Sequence, residues 1–297
     1  MWIWMTLASA LLLGVYDVAK KKALAKNDVY HVLLTATFFT TLILLPFLFF
    51  GPVAPGGKAV FAAPAKHYLC LMLKAVLVSA SWVSGMIGLK LLPITTVSTL
   101  KASRPMFVVL FSILLFGERL NALQWCGVVV VLAALYLLSR ASAGEGIRFS
   151  SSKGFWAVVI SILAGVASAL YDKRILAGLD MDPMFVQFWA NCFVTVILAV
   201  LVVIRACIGP AGERPKFTWD WVLVFIAVFI TAADALYFFA LKQPDAMLSV
   251  ISLVRRSSAI VAFLLGAWIF REKNLGKKGL IMLLLFCGIL LLTVGSL

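Results

Sequence analysis

The chain contains ten apolar runs, each about as long as a helix that crosses a lipid bilayer. A spanning helix takes about 20 mainly apolar residues, because the hydrocarbon core is about 30 Å thick and each helical residue advances about 1.5 Å. Continuous runs of this length exceed the strands of a transmembrane barrel, so they predict an all-α integral membrane protein. The predicted spans are 3–23, 29–50, 67–90, 93–116, 121–139, 155–177, 183–207, 219–241, 245–270 and 276–296.

The composition agrees with a membrane protein and excludes several other classes. The chain is 64% hydrophobic and 13% charged, with a mean hydropathy of +1.09. Its net charge of +14 is spread over short loops and a few intramembrane positions, which does not indicate a nucleic-acid partner. The five cysteines show no paired spacing, and we expect neither disulfides nor a metal site. Without a nucleophile–base pair or a phosphate-binding glycine loop, we expect no enzyme activity and no cofactor.

The polar stretch at residues 140–154 divides the ten runs into two sets of five. Since five is an odd number, the second set must enter the membrane from the opposite side, which predicts two inverted five-helix repeats. We place the first repeat at 1–139 and the second at 155–297, with an inter-repeat loop at 140–154. This arrangement puts both termini on the same side of the membrane.

Basic residues occupy equivalent depths in the two halves. Lys101 and Arg255 lie far inside the fourth and ninth runs, and their offset of 154 residues also separates Glu118 from Glu272. A charge near the bilayer centre costs roughly 3 kcal/mol or more, so such a residue usually faces a cavity or a partner. Cations at matched positions of two repeats predict a shared central binding site. We therefore expect an anionic ligand.

Several polar side chains accompany these cations at helical spacing. Ser98 precedes Lys101 by three residues, and a serine stands similarly before Arg255, so each face offers a hydroxyl beside a cation. Lys74 either extends the basic cavity or reaches the interface, and Trp82, Gln187 and Asn191 fit either helix packing or cavity lining. The predicted substrate-binding residues are Lys101, Arg104, Arg255, Arg256, Ser98, Ser252, Lys74 and Tyr237.

Three intramembrane acids are candidates for coupling or for ion pairs. They are Asp17, Asp172 and Asp234. Lys20 and Lys21 follow Asp17 by three and four residues, and two basic residues directly follow Asp172, so local ion pairs are favoured over proton carriage at both. Asp234 has no local cation. We expect it to pair with a basic residue of another helix or to carry a proton.

The architecture resembles the EamA-like members of the drug/metabolite transporter superfamily, over about residues 5–139 and 155–293. The resemblance rests on the two five-helix halves, the turns at Glu118 and Glu272, and a glycine-containing last helix. It implies a secondary transporter with cytoplasmic termini, whereas the loop charges favour the opposite orientation, so both remain open. A weaker resemblance is to sugar-phosphate and nucleotide-sugar translocators. Some of these place a Lys-Arg pair against substrate phosphate, at positions that here read Arg255-Arg256.

Together these features predict a secondary active transporter of a small organic anion, with phosphorylated metabolites ahead of carboxylates. The expected setting is the bacterial cytoplasmic (inner) membrane, with the chain crossing it many times and contacting its lipids. Two alternatives stay open: an exporter of amino acids or neutral metabolites whose cations are structural, and a protein that handles lipid headgroups. Coupling to a proton or a counter-substrate, and a monomeric or homodimeric state, also stay open.

Overall fold

The residues that the structure describes form a bundle of ten α-helices, and each of them overlaps one predicted span. The computed structural model describes residues 2–50, 63–104, 106–107, 111, 121–144, 147–173, 175, 183–208, 217–241, 254–272 and 275–295. Within them, the helices are α1 (Trp2–Leu24), α2 (Val29–Phe50), α3 (Ala65–Leu91), α4 (Ile94–Ala102), α5 (Ala122–Ala143), α6 (Lys153–Lys173), α7 (Pro183–Ile208), α8 (Val222–Leu241), α9 (Ser258–Phe270) and α10 (Leu275–Val294). The predicted all-α class is confirmed.

Length and composition allow many of these helices to cross a membrane. Six of them, α1, α2, α3, α5, α7 and α10, contain apolar stretches of at least 18 residues, and α6 and α8 contain shorter ones. Large apolar side chains point outward, as at Trp4, Trp268 and Leu280, which are 76%, 78% and 72% exposed. An apolar exterior suits contact with lipid rather than water, so the chain is a multi-pass membrane protein.

The two halves of the chain pack against each other far more than within themselves. α1 packs mainly on α8 and α9, α3 on α6 and α7, and α2 on α7 and α8. α5 packs along α10, and α4 packs on α9. The central space of the bundle is therefore bounded by helices from both halves.

Small residues allow the helices of opposite halves to approach closely. A Cβ added at Gly127 of α5 would lie 2.8 Å from the carbonyl oxygen of Gly288 in α10. On the α3–α6 contact, Ser81 and Ser161 exchange hydrogen bonds, each hydroxyl donating to the other's carbonyl oxygen at 2.8 and 2.6 Å. Such contacts are typical of helix association in lipid, where van der Waals packing and interhelical hydrogen bonds replace the hydrophobic effect.

Candidate functional site

Lys101 projects from α4 toward the α3–α6 contact. Every other residue of α4 is buried, whereas Lys101 is half-buried. Its Nζ lies 3.2 Å from the point where a Cβ on Gly85 of α3 would stand, and the Ser161 hydroxyl is 2.6 Å from that same point. Lys101 makes no hydrogen bond or ion pair with any residue that the structure describes.

An ion pair on α1 lies beside Lys101. Lys20 and Asp17 are joined at 2.5 Å, and the Lys20 ammonium also stands 3.9 Å from the centre of the Tyr16 ring. Asp17 and Lys20 are both within electrostatic range of Lys101. Lys21, the other expected partner of Asp17, instead donates to the carbonyl oxygens of Leu89 and Leu92.

The second half of the chain contributes its own charges to the same region. Arg255 forms an ion pair with Asp234 of α8. Arg256 lies within electrostatic range of Arg104, which follows α4 and donates a hydrogen bond to the carbonyl oxygen of Gly165 in α6. Cations of the two halves therefore meet in space. The Ser98 hydroxyl, by contrast, donates within its own helix to the Thr95 carbonyl oxygen at 3.1 Å.

These neighbouring groups carry an excess of positive charge. The group comprises two carboxylates and five basic side chains, which gives a net charge of +3 among these described residues: Asp17, Asp234, Lys20, Lys101, Arg104, Arg255 and Arg256. Ser252 lies outside the described residues, as do the side chains of Asp172 and Tyr237.

A cavity of about 220 Å³ lies beside this cluster, between helices of both halves. Of the predicted substrate-binding residues, Lys74 lines the cavity and Lys101 does not. Asp234, predicted as a coupling or ion-pair residue, also lines it. The polar and aromatic lining residues are Tyr16, Lys20, Thr37, Thr40, Lys74, Trp82, Gln187, Asn191 and Asp234.

The sequence analysis named Gln187 and Asn191 of α7 as possible lining residues, but it did not single out the threonines that share this polar wall between α2 and α7. The Asn191 amide donates to the Thr37 carbonyl oxygen at 3.1 Å and to the Thr41 hydroxyl at 2.6 Å, and Thr41 lies 3.4 Å from Thr195. Threonine is common in spanning helices, where it often bonds its own backbone, so its presence alone does not indicate a cavity. The 154-residue offset between Thr41 and Thr195 was the one available signal.

The part of the chain that the structure describes contains no cluster of metal-binding side chains. There, no group of three or more His, Cys, Asp or Glu side chains is arranged to hold a metal ion. The described lining of the cavity consists of charged, hydroxyl, amide and aromatic groups together with apolar ones.

Comparison with known proteins identifies two matching families and two relatives. The EamA-like transporter family matches residues 1–140, and the CRT-like, chloroquine-resistance transporter-like family matches residues 83–217. The S-adenosylmethionine uptake transporter of Rickettsia felis (strain ATCC VR-1525 / URRWXCal2) is 21% identical over 81% of this chain and 73% of its own. An uncharacterized transporter in the cobO 3′ region of Sinorhizobium sp is 33% identical over 26% of this chain and 54% of its own.

The fold also has a counterpart among solved structures. A crystal structure of a protein with 16% sequence identity covers 98% of this chain and 96% of its own, with a TM-score of 0.63. That likeness concerns the fold alone. The match over residues 1–140 confirms the resemblance to EamA-like transporters that the sequence predicted.

Proposed function

We propose that the chain is a membrane transporter of the EamA type and that it moves a small organic anion across the membrane by alternating access. The observation that carries this proposal is the positively charged cluster around Lys101. Phosphorylated metabolites come first among the candidate substrates, followed by carboxylates. Bacterial relatives support a bacterial cytoplasmic membrane as its location.

The distribution of ion pairs supports an anionic substrate. Asp17 is held by Lys20, and Asp234 by Arg255, so each described carboxylate of the cluster already has a basic partner. Lys101 lacks one among the described residues. An uncompensated cation within the bilayer is costly, and an anion bound from water would lower that cost.

Packing between the halves supports two inverted repeats, residues 1–139 and 155–297, related by an axis in the membrane plane. An exchange of α1–α5 with α6–α10 converts the α1–α8 contact into the α6–α3 contact, and these are two of the most extensive pairings in the bundle. Residues separated by the repeat offset of 154 also contact each other directly, as Thr41 with Thr195 and Thr37 with Asn191. Equivalent residues meet in this way only where a two-fold axis passes between them.

This arrangement supports alternating access. Because the cavity is bounded by helices of both halves, a rocking of one half against the other opens it to one side of the membrane or to the other. In this proposal the rocking brings the solute against Lys101 and Arg104 of the first half and Arg255 and Arg256 of the second, which lie beside the cavity rather than in its wall.

A second candidate substrate is S-adenosylmethionine or a related zwitterion. The cavity lining favours it, because Lys74 suits a carboxylate and the Tyr16 and Trp82 rings suit a purine. Arg255 pairs with Oδ1 of Asp234, and the second oxygen of that carboxylate suits a cationic group. The relative from Rickettsia felis is named for uptake of this compound.

The test begins with a thermal-shift screen of sugar phosphates, nucleotides, carboxylates, amino acids and S-adenosylmethionine, followed by uptake of each stabilising compound into proteoliposomes. We expect Lys101→Ala to raise KM for the anion at least about tenfold, since a hydrogen bond to a charged group contributes about 1.5–3 kcal/mol. Lys153→Ala, at an exposed lysine at the start of α6, should leave KM unchanged.

Two results would count against the proposal. Stabilisation by neutral compounds alone would remove the anion preference. Uptake that is insensitive to Lys101→Ala and to Arg256→Ala for every transported solute would remove the site. Stabilisation by S-adenosylmethionine alone, with loss of its uptake in Asp234→Asn, would favour the second candidate.

A further inference from the structure

A carboxylate from the turn between α9 and α10 is seated on the first turn of α4. One oxygen of Glu272 accepts the backbone N–H of Ile94 at 2.7 Å, and the other accepts the N–H and the hydroxyl of Thr95 at 3.0 and 2.5 Å. The first N–H groups of a helix have no partner within the helix, and Pro93 at the cap position supplies none. The cap of α4 therefore comes from a residue of the opposite half.

The backbone before Glu272 is shaped to present this side chain. Arg271, which ends α9, has a φ of 48° in the left-handed region, so the chain turns sharply at that point. The fully buried Lys278 of α10 donates to the Thr95 hydroxyl at 3.3 Å, next to the Glu272 contact. Both ends of the α9–α10 turn thus converge on the first turn of α4.

The end of α3, which immediately precedes α4, is held in the complementary way. Lys21 of α1 donates to the carbonyl oxygens of Leu89 at 2.5 Å and of Leu92 at 2.6 Å, where α3 has no further helical N–H groups to bond. A cation thus meets the carbonyl end of α3 and an anion meets the amide end of α4, as the two helix dipoles favour. Lys21 is also within electrostatic range of Glu272.

The contact between the first turn of α4 and α9, here called the seam, is tightly packed. Ile94 is 1% exposed, and its side chain occupies the space that a Cβ on Gly266 of α9 would need. α4 leads directly from this seam to Lys101, seven residues and about 10 Å further along the helix. A movement of the first turn of α4 away from α9 would therefore open the seam and displace Lys101 together.

We propose that Glu272 is a positioning residue, here called the latch. It keeps the bundle closed to water at the membrane face where α9 ends and α4 begins. The latch rests on the proposed alternating access. With this face closed, the carboxylate caps α4 and holds Lys101 in place. With the face open, α4 moves away from α9, and water replaces the carboxylate at the N–H groups of Ile94 and Thr95.

The test measures access of water to each face, and it needs no substrate. The full-length protein is placed in lipid nanodiscs with its five native cysteines replaced by alanine, and one reporter cysteine is introduced at a time. Ile94→Cys reports on the seam, and Gln187→Cys reports on the cavity near the opposite face, where α7 begins. The rate of labelling by a membrane-impermeant maleimide is then compared with and without Glu272→Gln.

We expect Glu272→Gln to raise the labelling rate of the Ile94→Cys reporter about tenfold and to lower that of the Gln187→Cys reporter. Loss of the charge weakens the cap, and a population that opens on one face must close on the other. Glu272→Asp keeps the charge and should shift both rates less. The matched control is Asp220→Asn on the same face, because Asp220 caps its own helix through the N–H of Val222 at 3.0 Å.

Opposed changes at the two reporters, absent in the Asp220→Asn control, support the latch. Unchanged rates in Glu272→Gln overturn it, and so does a rise at both reporters, which would mean general loosening of the bundle. Because the labelling is independent of transport, an anion site that fails the Lys101→Ala test leaves this result intact. Equally, normal anion uptake with unchanged labelling would reject the latch and keep the carrier.

Discussion

The ion pair between Asp234 and Arg255 should contribute measurably to stability, because it lies inside the bundle. We propose a double-mutant cycle of Asp234→Asn and Arg255→Gln, singly and together. Each substitution removes one charge at nearly constant volume. Arg255 has further contacts, and they cancel in the cycle because they are lost equally with and without Asp234.

The magnitude follows from the burial of the pair. The two side chains are 22% and 27% exposed, so the local dielectric lies well below that of water. At an effective dielectric of about 20, two unit charges in contact attract by roughly 4 kcal/mol; the desolvation cost of each charge cancels in the cycle, and solvent screening of the partly exposed side chains reduces the attraction by about half. A coupling energy of about 2 kcal/mol is expected, within the range of about 0.5–3 kcal/mol for residues in direct contact.

The assay is reversible unfolding in mixed micelles by titration with sodium dodecyl sulfate. The matched control is the same cycle at Lys26 and Asp220, which are 3.7 Å apart with side chains 68% and 22% exposed. That peripheral pair should couple by less than about 0.5 kcal/mol, as exposed ion pairs generally do. A coupling at Asp234 and Arg255 no larger than the control would refute the reasoning, since it would mean that burial does not strengthen the interaction.

The remaining predictions concern backbone packing and conformation. Gly288→Ala should destabilise the protein by about 1–3 kcal/mol, because its Cβ would lie 2.7 Å from the Val131 side chain and 3.0 Å from the Val131 backbone nitrogen. Gly276→Ala is the control and should be neutral or stabilising, because no atom lies within 4 Å of the added Cβ. Equal effects of the two substitutions in unfolding titrations would contradict this prediction. Arg271→Val should be about 1 kcal/mol less stable than Arg271→Gly in the same assay, because its left-handed φ of 48° disfavours a β-branched side chain. Equal stabilities would rule out strain at this position.

The helices themselves were predictable from the sequence, since bilayer thickness imposes one length on every span. For example, the predicted span 29–50 has the same limits as α2. Equal lengths and similar compositions, however, do not indicate which helices touch. The contact of α1 with α8 depends on the shapes of small residues and on short loops that permit many arrangements.

The contacts of the candidate site were predictable only in part, because side chains of the same type bond to different partners in the fold. Lys20 and Lys21 both suit a local ion pair with Asp17, yet Lys20 alone forms it and Lys21 bonds to carbonyl oxygens of α3. Lys278 stands near the start of α10, where a lysine ordinarily reaches solvent, but it is fully buried against Thr95. Such choices depend on neighbours from distant parts of the chain.

By itself the sequence determined that the protein is an all-α membrane protein, and it placed basic residues, Lys101 and Arg255, at an offset of 154 residues inside two of the apolar runs. Those properties are local, because they follow from residue type, run length and a fixed offset. Only the tertiary structure decided that Asp234 joins Arg255, that Thr41 meets Thr195, and that Glu272 caps α4. Each of these contacts joins residues far apart in the chain, and a hydrogen bond or an ion pair forms only where folding brings its two atoms within about 3 Å.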